Sequence, residues 1–579
     1  MHTLITQHLD IWTNAIKPKA GRGRGAGRKQ ELYGIKKLRG LILELAVRGL
    51  LVPQDPNDEP ASVLLQRIAA EKSQLIKDKK LKKQKALPPI TKDEKPFDLP
   101  EGWEWAHLGD ITDYGYSEKA QAENVQAETW VLELEDVEKN TSKLLAKIRF
   151  KERNFKSSKN IFYKGNVIYG KLRPYLDKVI IADENGVCTT EMIPIKGYAC
   201  LTSEFIRLAM KSPYFIEYAN NSTHGMNLPR MGTEKARLAL IPILPEKEQH
   251  RIVTKVDELM HLCDQLEQQT ENQLDAHQTL VKTLLNTLTE ASDHICFQAA
   301  WQRIAAHFDI LFTTEHSIEQ LKQTVLQLAV MGKLVPQDPN DEPASELLKK
   351  IAAEKAQLIK QKKIKKQKPL PPITEDEKPF DLPEGWELER FSKIVQEVAT
   401  GPFGSMINKK EYINGGIPLI NPSHMCDGEI VENNNISVSL EKAEELKSYS
   451  IFSDDIVMAR RGEMGRCALV KKRENAWLCG TGSFVLRFYK KISRPFILIL
   501  FRSHNVVSYL GEQSVGTTMT NLNHGILNKM PVALPPLQEQ HRIVTKVDEL
   551  MHLCDQLKTR LNDTQTTQLQ LADTLLMRF

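Results

Sequence analysis

The sequence contains no uninterrupted apolar run that approaches the roughly 20 residues needed to cross a bilayer. Its first nineteen residues place His8 and Asp10 inside their apolar part and lack a basic start, so they do not predict a signal peptide. The eight cysteines include no C-x-x-C pair, which argues against a zinc site. We therefore expect a reduced, cytoplasmic protein without membrane association.

The net charge of the chain is also small. The formal net charge is only +5 over 579 residues, whereas many nucleic-acid-binding domains are strongly basic. The total charge therefore neither establishes nor excludes DNA as a partner. A chain of this length predicts three or four domain-sized units, and 41% hydrophobic residues predict buried cores.

Recognisable catalytic motifs are missing as well. The stretch from Gly165 to Lys171 resembles a phosphate-binding loop, but Leu172 stands where a hydroxyl group should hold magnesium. Residues 421–424 (NPSH) resemble the tetrapeptide of amino-methyltransferases but lack its second proline and its aromatic residue, so they predict a turn. The fifteen histidines form no metal-binding pattern. The sequence thus predicts no nucleophile, no catalytic acid–base pair and no metal site.

What the sequence does have is repetition. The nineteen residues from Glu248 to Leu266 recur unchanged from Glu539 to Leu557. Apolar positions alternate at spacings of four and three, which predicts a coiled-coil seam whose partner is the other copy. The seam residues are Ile252, Val256, Leu259, Cys263 and Leu266 in one copy, and Ile543, Val547, Leu550, Cys554 and Leu557 in the other.

A second block is repeated at an offset of 283, since the stretch that begins at Leu38 returns at Leu321 (321 − 38). Between residues 51–103 and 334–386, 45 of 53 positions are identical. Each copy predicts a helix that ends near Gly-x-x-V-P, then a Pro/Asp/Asn turn, then a second helix. The chain is therefore a tandem duplication of one module.

The residues at which these predicted helices begin and end follow from local sequence signals. The first helix of each block should end at Gly49 or Gly332, because glycine suits a helix C-terminus. The second should begin near Ala61 or Ala344 and continue into the lysine-rich runs. A separate amphipathic helix is predicted before the first block, at residues 3–16.

Three basic runs invite a DNA interpretation. Residues 21–29 (GRGRGAGRK) are typical of a flexible linker, with phosphate contact as the alternative. The lysine-rich runs at 77–85 and 360–368 are typical of solvated helix faces, again with DNA contact as the alternative.

The regions between the repeated blocks, 106–245 and 387–536, barely resemble each other. Both contain short β-like runs, such as NVIY and DIVM, between polar loops. Short stretches of the two can still be aligned, and they predict one fold whose surface has diverged. The aligned stretches are 163–173 with 452–462, and 187–190 with 478–481.

The repeated blocks A-V-x-G-x-L-V-P-Q-D-P, F-D-L-P-E-G-W and E-Q-H-R-I-V-x-K-V-D-E-L carry a family resemblance. From about Ile35 onward, the chain resembles the specificity subunits of type I restriction–modification enzymes. The resemblance implies an α+β fold in which two mixed α/β target-recognition domains are separated by long helices. It also implies that these helices pair as an antiparallel coiled coil, with pseudo-two-fold symmetry.

The resemblance also implies function and partners. Each recognition domain would read one half of an asymmetric, bipartite site in double-stranded DNA. The repeated helices would set the spacing and hold two modification subunits, which use S-adenosylmethionine to methylate adenine. Restriction subunits that use ATP and Mg²⁺ for translocation would complete the complex. The resemblance implies no cofactor and no catalytic role for this chain itself.

The predicted organisation has six parts. They are an N-terminal helix and basic linker (1–34), a conserved helical region (35–105), recognition domain 1 (106–245), a central conserved region (246–386), recognition domain 2 (387–536) and a C-terminal helix (537–579).

Exposed basic and amide side chains in the recognition domains are the candidates for base contacts, since arginine pairs well with guanine and asparagine with adenine. For each candidate, a phosphate contact or a plain surface charge is the alternative. The candidates are Lys171, Arg173, Arg230, Arg460, Arg461, Arg466, Asn521 and Asn523.

Two other functions remain open at this point. One is a coiled-coil scaffold that binds only protein, which should show no DNA sequence preference. The other is a fused methyltransferase–specificity enzyme, against which the missing cofactor loop argues.

Overall fold

The computed structural model describes five stretches of the chain: residues 8–18, 30–225, 227–366, 368–514 and 521–577. The basic run at 21–29 lies outside them. The chain divides into two compact units, one made of residues 1–273 and 564–579 and the other of 274–563. None of the helices in the described stretches is long and apolar enough to span a membrane.

The first unit combines a helical part with a mixed α/β part. Its helices are α1 Leu9–Asn14, α2 Tyr33–Val47, α3 Ala61–Lys77, α4 Leu108–Ile111, α5 Ser203–Lys211, α6 Pro213–Asn221, α7 Thr233–Arg237 and the start of α8 Glu246–Thr289. Its strands are β1 Lys17–Pro18, β2 Gln30–Glu31, β3 Glu104–His107, β4 Lys119–Ala120, β5 Trp130–Leu132, β6 Lys159–Phe162, β7 Val167–Gly170, β8 Val179–Ile181, β9 Gly186–Cys188, β10 Met192–Ile195, β11 Thr223–His224, β12 Arg230–Met231 and β13 Leu240–Ile243.

The second unit likewise combines a helical part with a mixed α/β part. Its helices are α9 His294–Ala306, α10 Phe308–Leu311, α11 Glu315–Val330, α12 Ala344–Lys360, α13 Phe391–Ile394, α14 Leu440–Glu445, α15 Arg494–Arg502, α16 His504–Gln513, α17 His524–Lys529 and most of α18 Leu537–Met577. Its strands are β14 Glu387–Arg390, β15 Val395–Thr400, β16 Ile417–Ile420, β17 Met425–Cys426, β18 Glu429–Ile430, β19 Ser437–Val438, β20 Ile456–Ala459, β21 Cys467–Leu469, β22 Leu478–Cys479, β23 Ser483–Phe488 and β24 Pro531–Leu534.

Each recognition domain is built from small sheets that enclose an apolar core. In the first domain, the sheet β10-β7-β8 and the sheet β4-β6-β9-β5 bury Trp130 and Phe162 completely or nearly so. In the second, the sheets β15-β23-β20-β21 and β19-β16-β22 bury Ile420 and Val457. Each domain also contains one parallel strand pair, β5 with β9 and β16 with β22.

The strand register confirms the prediction that the two variable regions share one fold. β7 pairs antiparallel with both β10 and β8, and Met192 lies opposite Gly170. β20 pairs in the same way with β23 and β21, and Ser483 lies opposite Ala459. The alignment read from the sequence matches these strands residue for residue (167 + 289 = 456 and 170 + 289 = 459). The same backbone therefore supports two unlike surfaces.

The predicted helix end at Gly49 is confirmed. Helix α2 ends at Val47, Gly49 has φ of +71°, and the Leu50 N–H group donates to the Leu45 carbonyl oxygen at 2.9 Å. This 6→1 hydrogen bond beyond a left-handed residue is the Schellman motif. In the second unit, Gly332 has φ of +69° beyond the end of α11.

The second helices begin at Ala61 and Ala344 as predicted, but the lysine-rich runs are not helical. Helices α3 and α12 end at Lys77 and Lys360, and the described residues of the two runs continue mostly as exposed, irregular chain. The expectation of solvated helix faces is therefore wrong. Like charges three and four residues apart destabilise a helix, so lysine-rich sequence is a poor continuation of one.

The two long helices are confirmed. α8 contains 44 residues and α18 contains 41, so each extends roughly 60–66 Å at ~1.5 Å per residue. Of the predicted seam residues, Leu266, Leu550 and Leu557 are half-buried and the other seven are buried.

Each copy of the repeated helix also has a partner helix within its own unit. Arg39 of α2 donates to Asp264 of α8 at 2.6 Å, and Lys322 of α11 donates to Asp555 of α18 at 2.5 Å. These are equivalent pairs (39 + 283 = 322 and 264 + 291 = 555). The predicted pairing of the two copies with one another stays a prediction.

The predicted N-terminal helix is shorter than expected where the structure describes it. α1 covers Leu9–Asn14, buries Trp12 fully and packs on α2, where an added Cβ at Gly34 would lie 2.3 Å from the Trp12 carbonyl oxygen. The C-terminal end of α18 belongs to the same unit, because the Tyr33 hydroxyl group donates to Asp573 at 2.7 Å. Among the described residues before Ile35, α1 and Tyr33 thus help to complete the helical part of the first unit.

Candidate nucleic-acid interface

The turn between β7 and β8 carries two of the candidate cations. It spans residues 171–178 and begins with Lys171 and Arg173. Arg173 and Asp177 both have positive φ, 53° and 48°, on either side of a short 3-10 turn. Such conformations persist only where the surrounding structure determines them, so the turn has a defined backbone. Arg173 is exposed on it.

A short strand brings Arg230 to the same edge of the domain. Leu172 and Arg230 face each other across an isolated antiparallel bridge. The neighbouring Met231 N–H group donates to the Lys171 carbonyl oxygen at 3.0 Å. The structure therefore brings Arg230 next to Lys171 and Arg173, although Arg230 lies more than fifty residues away in the sequence.

The turn between β20 and β21 repeats this arrangement in the second unit. It spans residues 460–466 and begins with Arg460 and Arg461. Arg461 faces Asn521 across an antiparallel bridge, and the Leu522 N–H group donates to the Arg460 carbonyl oxygen at 3.0 Å. Both domains thus join the turn after the equivalent strand to the segment before their last short helix.

The Arg460 side chain is held by an aromatic ring and a carbonyl group. Its guanidinium carbon lies 5.1 Å from the centroid of the Phe484 ring, within cation–π range. Its Nε donates to the Leu522 carbonyl oxygen at 3.3 Å. Partial burial and the neighbouring Arg461 lower the pKa of Arg460, but a guanidinium group stays charged at neutral pH.

Two of the candidate arginines already have acidic partners. The Arg230 Nε donates to both carboxylate oxygens of Glu191 at 3.0 Å. Arg466 pairs with Glu463 and also donates to the Pro422 carbonyl oxygen at 3.4 Å. Among the residues that the structure describes, four candidates form no ion pair: Lys171, Arg173, Arg460 and Arg461. Their charge is therefore available to an anionic partner.

The two candidate asparagines differ in their side-chain environment. Asn523 precedes α17, and its Oδ1 accepts the Ile526 N–H group at 3.0 Å as a helix cap. The Oδ1 of Asn521 is buried and has no hydrogen-bond partner within the described residues. Asn523 therefore has a structural role beside any role in binding.

The sequence interpretation missed two aromatic residues that lie at the basic turns, one exposed and one buried. Tyr175 is 49% exposed in the first turn, and its place between Arg173 and Lys178 is a signal that could have identified it. Aromatic rings among cations are typical of nucleic-acid contacts. Phe484 lies beneath Arg460 but comes from β23, so no local pattern marks it.

The two stretches that resemble catalytic motifs, after Gly165 and at residues 421–424, have ordinary structural roles. The stretch after Gly165 forms β7, an internal strand of its sheet, rather than a phosphate-binding loop. Residues 422–424 form a single 3-10 turn, as predicted. In the described part of the chain, no cluster of three His, Cys, Asp or Glu side chains could hold a metal ion.

Comparison with known proteins identifies the family of this chain. Residues 383–564 match the family model of the type I restriction modification DNA specificity domain. The chain is 40% identical to the specificity subunit of the type I restriction enzyme EcoEI from Escherichia coli, over 99% of this chain and 98% of that protein. It is 39% identical to the EcoAI specificity subunit, also from Escherichia coli, over the same shares of each.

A solved structure supports the fold independently. It comes from a study of complex assembly and conformational transition in a type I restriction–modification system. The match has a TM-score of 0.50 at 18% sequence identity and covers 83% of this chain and 98% of the solved chain.

Proposed function

Because this chain belongs to the specificity subunits of type I restriction enzymes, we propose that each of its recognition domains reads one half of a bipartite DNA site. The chain is the sequence-recognising, non-catalytic component of such an enzyme. The two basic turns, at 171–178 and 460–466, are the surfaces that would meet the DNA grooves.

One observation carries this proposal. Two domains with unlike sequences place cations without acidic partners on the turn that connects equivalent strands, β7 with β8 and β20 with β21. Because the side chains beside those cations differ, Arg230 in one domain and Asn521 in the other, the two half-sites should differ as well. The DNA target should therefore be asymmetric, because the two domains share a fold but present different side chains.

The repeated helices support a proposal about partners. A helix face that is identical in residues 248–266 and 539–557 can bind the same protein twice, which suits two modification subunits. S-adenosylmethionine would then be bound by those subunits, and ATP and Mg²⁺ by the restriction subunits. The eight unpaired cysteines support a reduced, cytoplasmic setting for the complex.

The test compares Arg173→Ala with Arg461→Ala in the complex with the modification subunits. Base preferences are measured by selection from random duplexes. Each variant should relax base preference within one half-site only, a different half for each variant. If the arginine reads a base, discrimination at that position should fall by roughly 1–3 kcal/mol. If it contacts a phosphate, affinity should fall for all sequences and the salt dependence should weaken.

Arg466→Ala is the matched control, because Arg466 is already paired with Glu463. Its effect should be smaller than that of Arg461→Ala. A wild-type complex without sequence preference would support the scaffold alternative instead. Two variants that alter the same half-site would contradict the assignment of one domain to each half.

A further inference from the structure

The first turn of each long helix lies where a recognition domain meets the repeated helices. The chain enters the first domain through β3 and leaves it through β13, which pairs with β3 and leads directly into α8. Two consecutive polar residues in that turn, Glu248 and Gln249, are 1% and 0% exposed. Their counterparts Glu539 and Gln540 are equally buried. Buried polar residues of this kind require specific partners.

Glu248 binds the conserved helical region. Its carboxylate accepts the Trp103 Nε1–H group at 2.9 Å and the Gln54 amide at 3.2 Å. Burial raises the pKa of Glu248, and the hydrogen bonds from Trp103 and Gln54 oppose that shift. In the second unit, Glu539 accepts from Trp386 at 3.0 Å and from Gln337 at 3.1 Å.

Gln249 binds the recognition domain. Its Oε1 accepts the backbone N–H group of Thr202, the cap of α5, at 3.4 Å. Its amide group donates to the Leu244 carbonyl oxygen at 3.2 Å. In the second unit, Gln540 accepts the backbone N–H group of Ser493, the cap of α15, at 3.2 Å.

A third contact comes from the first repeated helix. Glu44 of α2 accepts the backbone N–H group of Tyr214 in α6 at 3.3 Å. At the equivalent place, Gln327 of α11 accepts the backbone N–H group of Asn505 in α16 at 3.2 Å. A carboxylate and an amide thus fill the same acceptor role.

The domain side of these contacts consists of backbone groups only. Thr202, Ser493, Tyr214 and Asn505 each contribute an N–H group, which every residue except proline has. The side chains of the recognition domains are therefore free to diverge without loss of the contacts. This explains how one attachment is kept beneath two unlike domains.

We propose that these contacts form a joint that sets the direction of each recognition domain on its long helix, with Glu248, Gln249, Glu539 and Gln540 as positioning residues. The proposal rests on the proposed function. The joint would determine how strictly the complex selects the number of base pairs between the half-sites. A rotation of about 10° across a domain roughly 30 Å wide moves its far edge by about 5 Å, more than one base-pair step of ~3.4 Å.

The experiment uses Gln249→Leu and Gln540→Leu in the complex with the modification subunits. Affinity is measured for duplexes that carry both wild-type half-sites, with gaps from two base pairs shorter to two longer than the preferred length. Each variant should reduce the preference for one gap by roughly three- to ten-fold, the range expected for a lost hydrogen bond. Discrimination against base changes within each half-site should stay unchanged. Gln269→Leu, an exposed position on α8, is the matched control and should keep the wild-type gap profile.

Two outcomes would contradict the proposal that these contacts form a joint. One is a gap preference that survives in both variants, and the other is an equal loss of affinity at every gap length, which would indicate a merely structural role. Glu248→Gln keeps the side-chain shape and replaces one acceptor oxygen by a donor, so it tests the same idea if a leucine variant fails to fold. A wild-type complex that binds DNA without sequence preference would instead refute the proposed function.

Discussion

An arginine serves DNA recognition best when no carboxylate of the protein neutralises its charge. Arg173 and Arg461 are exposed and form no ion pair with any described residue, whereas Arg230 gives its Nε to Glu191. A neighbouring carboxylate neutralises the charge and repels phosphate. Arg230 would therefore act through its terminal nitrogen atoms, in an orientation that Glu191 determines. Arg173 and Arg461 are the stronger candidates for direct contact.

Asp113 gives a prediction for pH dependence. Burial raises the pKa of this carboxyl group to about 6, and its Oδ1 accepts the Lys196 N–H group at 2.6 Å. Because the folded pKa is raised, ionisation of Asp113 costs nothing below the unfolded pKa of roughly 3.9. The cost grows between pH ~3.9 and about 6 and is fully present above that range. Asp113→Asn removes this cost. Its free energy of unfolding should exceed that of the wild type by up to roughly 3 kcal/mol at pH 7.5, and the difference should vanish near pH 4.

Urea denaturation followed by tryptophan fluorescence at pH 4, 5.5 and 7.5 measures this difference. Asp110→Asn is the control, because Asp110 is half-exposed and pairs with Lys72 at 3.1 Å. A surface change of this kind should alter stability by about 0.5 kcal/mol or less. A difference for Asp113→Asn that does not grow with pH would contradict the electrostatic explanation.

At the scale of elements, the repeated glycines determine how the first helix of each module turns into the next segment. Gly49 has φ of +71°, and an added Cβ would lie 2.4 Å from the Pro100 Cγ. At Gly332, an added Cβ would lie 2.4 Å from the Pro383 Cγ. The repeated A-V-x-G and L-P-E-G-W motifs therefore meet at this point in both units.

Gly49→Ala should destabilise the first unit by roughly 2 kcal/mol or more, because the left-handed conformation and the contact with Pro100 both oppose a side chain. Thermal unfolding compares it with Gly102→Ala. Gly102 also has positive φ, +84°, but no atom lies within 4 Å of an added Cβ. Only the conformational cost of about 1–2 kcal/mol should remain there. Equal losses in the two variants would show that the contact with Pro100 contributes nothing.

At the scale of the whole molecule, the chain is one module used twice, in which the repeated segments are alike and the recognition domains differ. Contacts among repeated segments recur residue for residue, as in Trp103 with Glu248 and Trp386 with Glu539. The recognition domains keep their strand register and change their surfaces. This division suits a subunit that meets the same protein partner twice and two different DNA sequences once each.

The long helices give a prediction at this scale. Insertion of four residues into the middle of α8 lengthens it by roughly 6 Å, close to two base-pair steps of ~3.4 Å. If α8 acts as a ruler, the gap between the half-sites should lengthen while both half-sites keep their sequences. Methylation mapping of the assembled complex measures both. An altered half-site with an unchanged gap would contradict the ruler.

The sequence by itself determined the parts of this protein that depend on neighbouring residues. Helix ends at Gly49 and Gly332, helix starts at Ala61 and Ala344 and the two long helices follow from local propensity, capping and periodicity, and repetition revealed the duplicated module. Exact repetition even showed which surfaces had to be alike, because identical residues in identical folds make identical contacts.

Only the tertiary structure decided which polar residues are free and which have partners. Glu191 neutralises Arg230, Phe484 supports Arg460 and Gln249 binds the Thr202 backbone, and each pair joins residues that are far apart in the sequence. The lysine-rich runs are a different case, because repulsion between lysines three and four residues apart is a local signal that already opposes a helix there. Side-chain pairing depends on distances in space, and local sequence contains no measure of them.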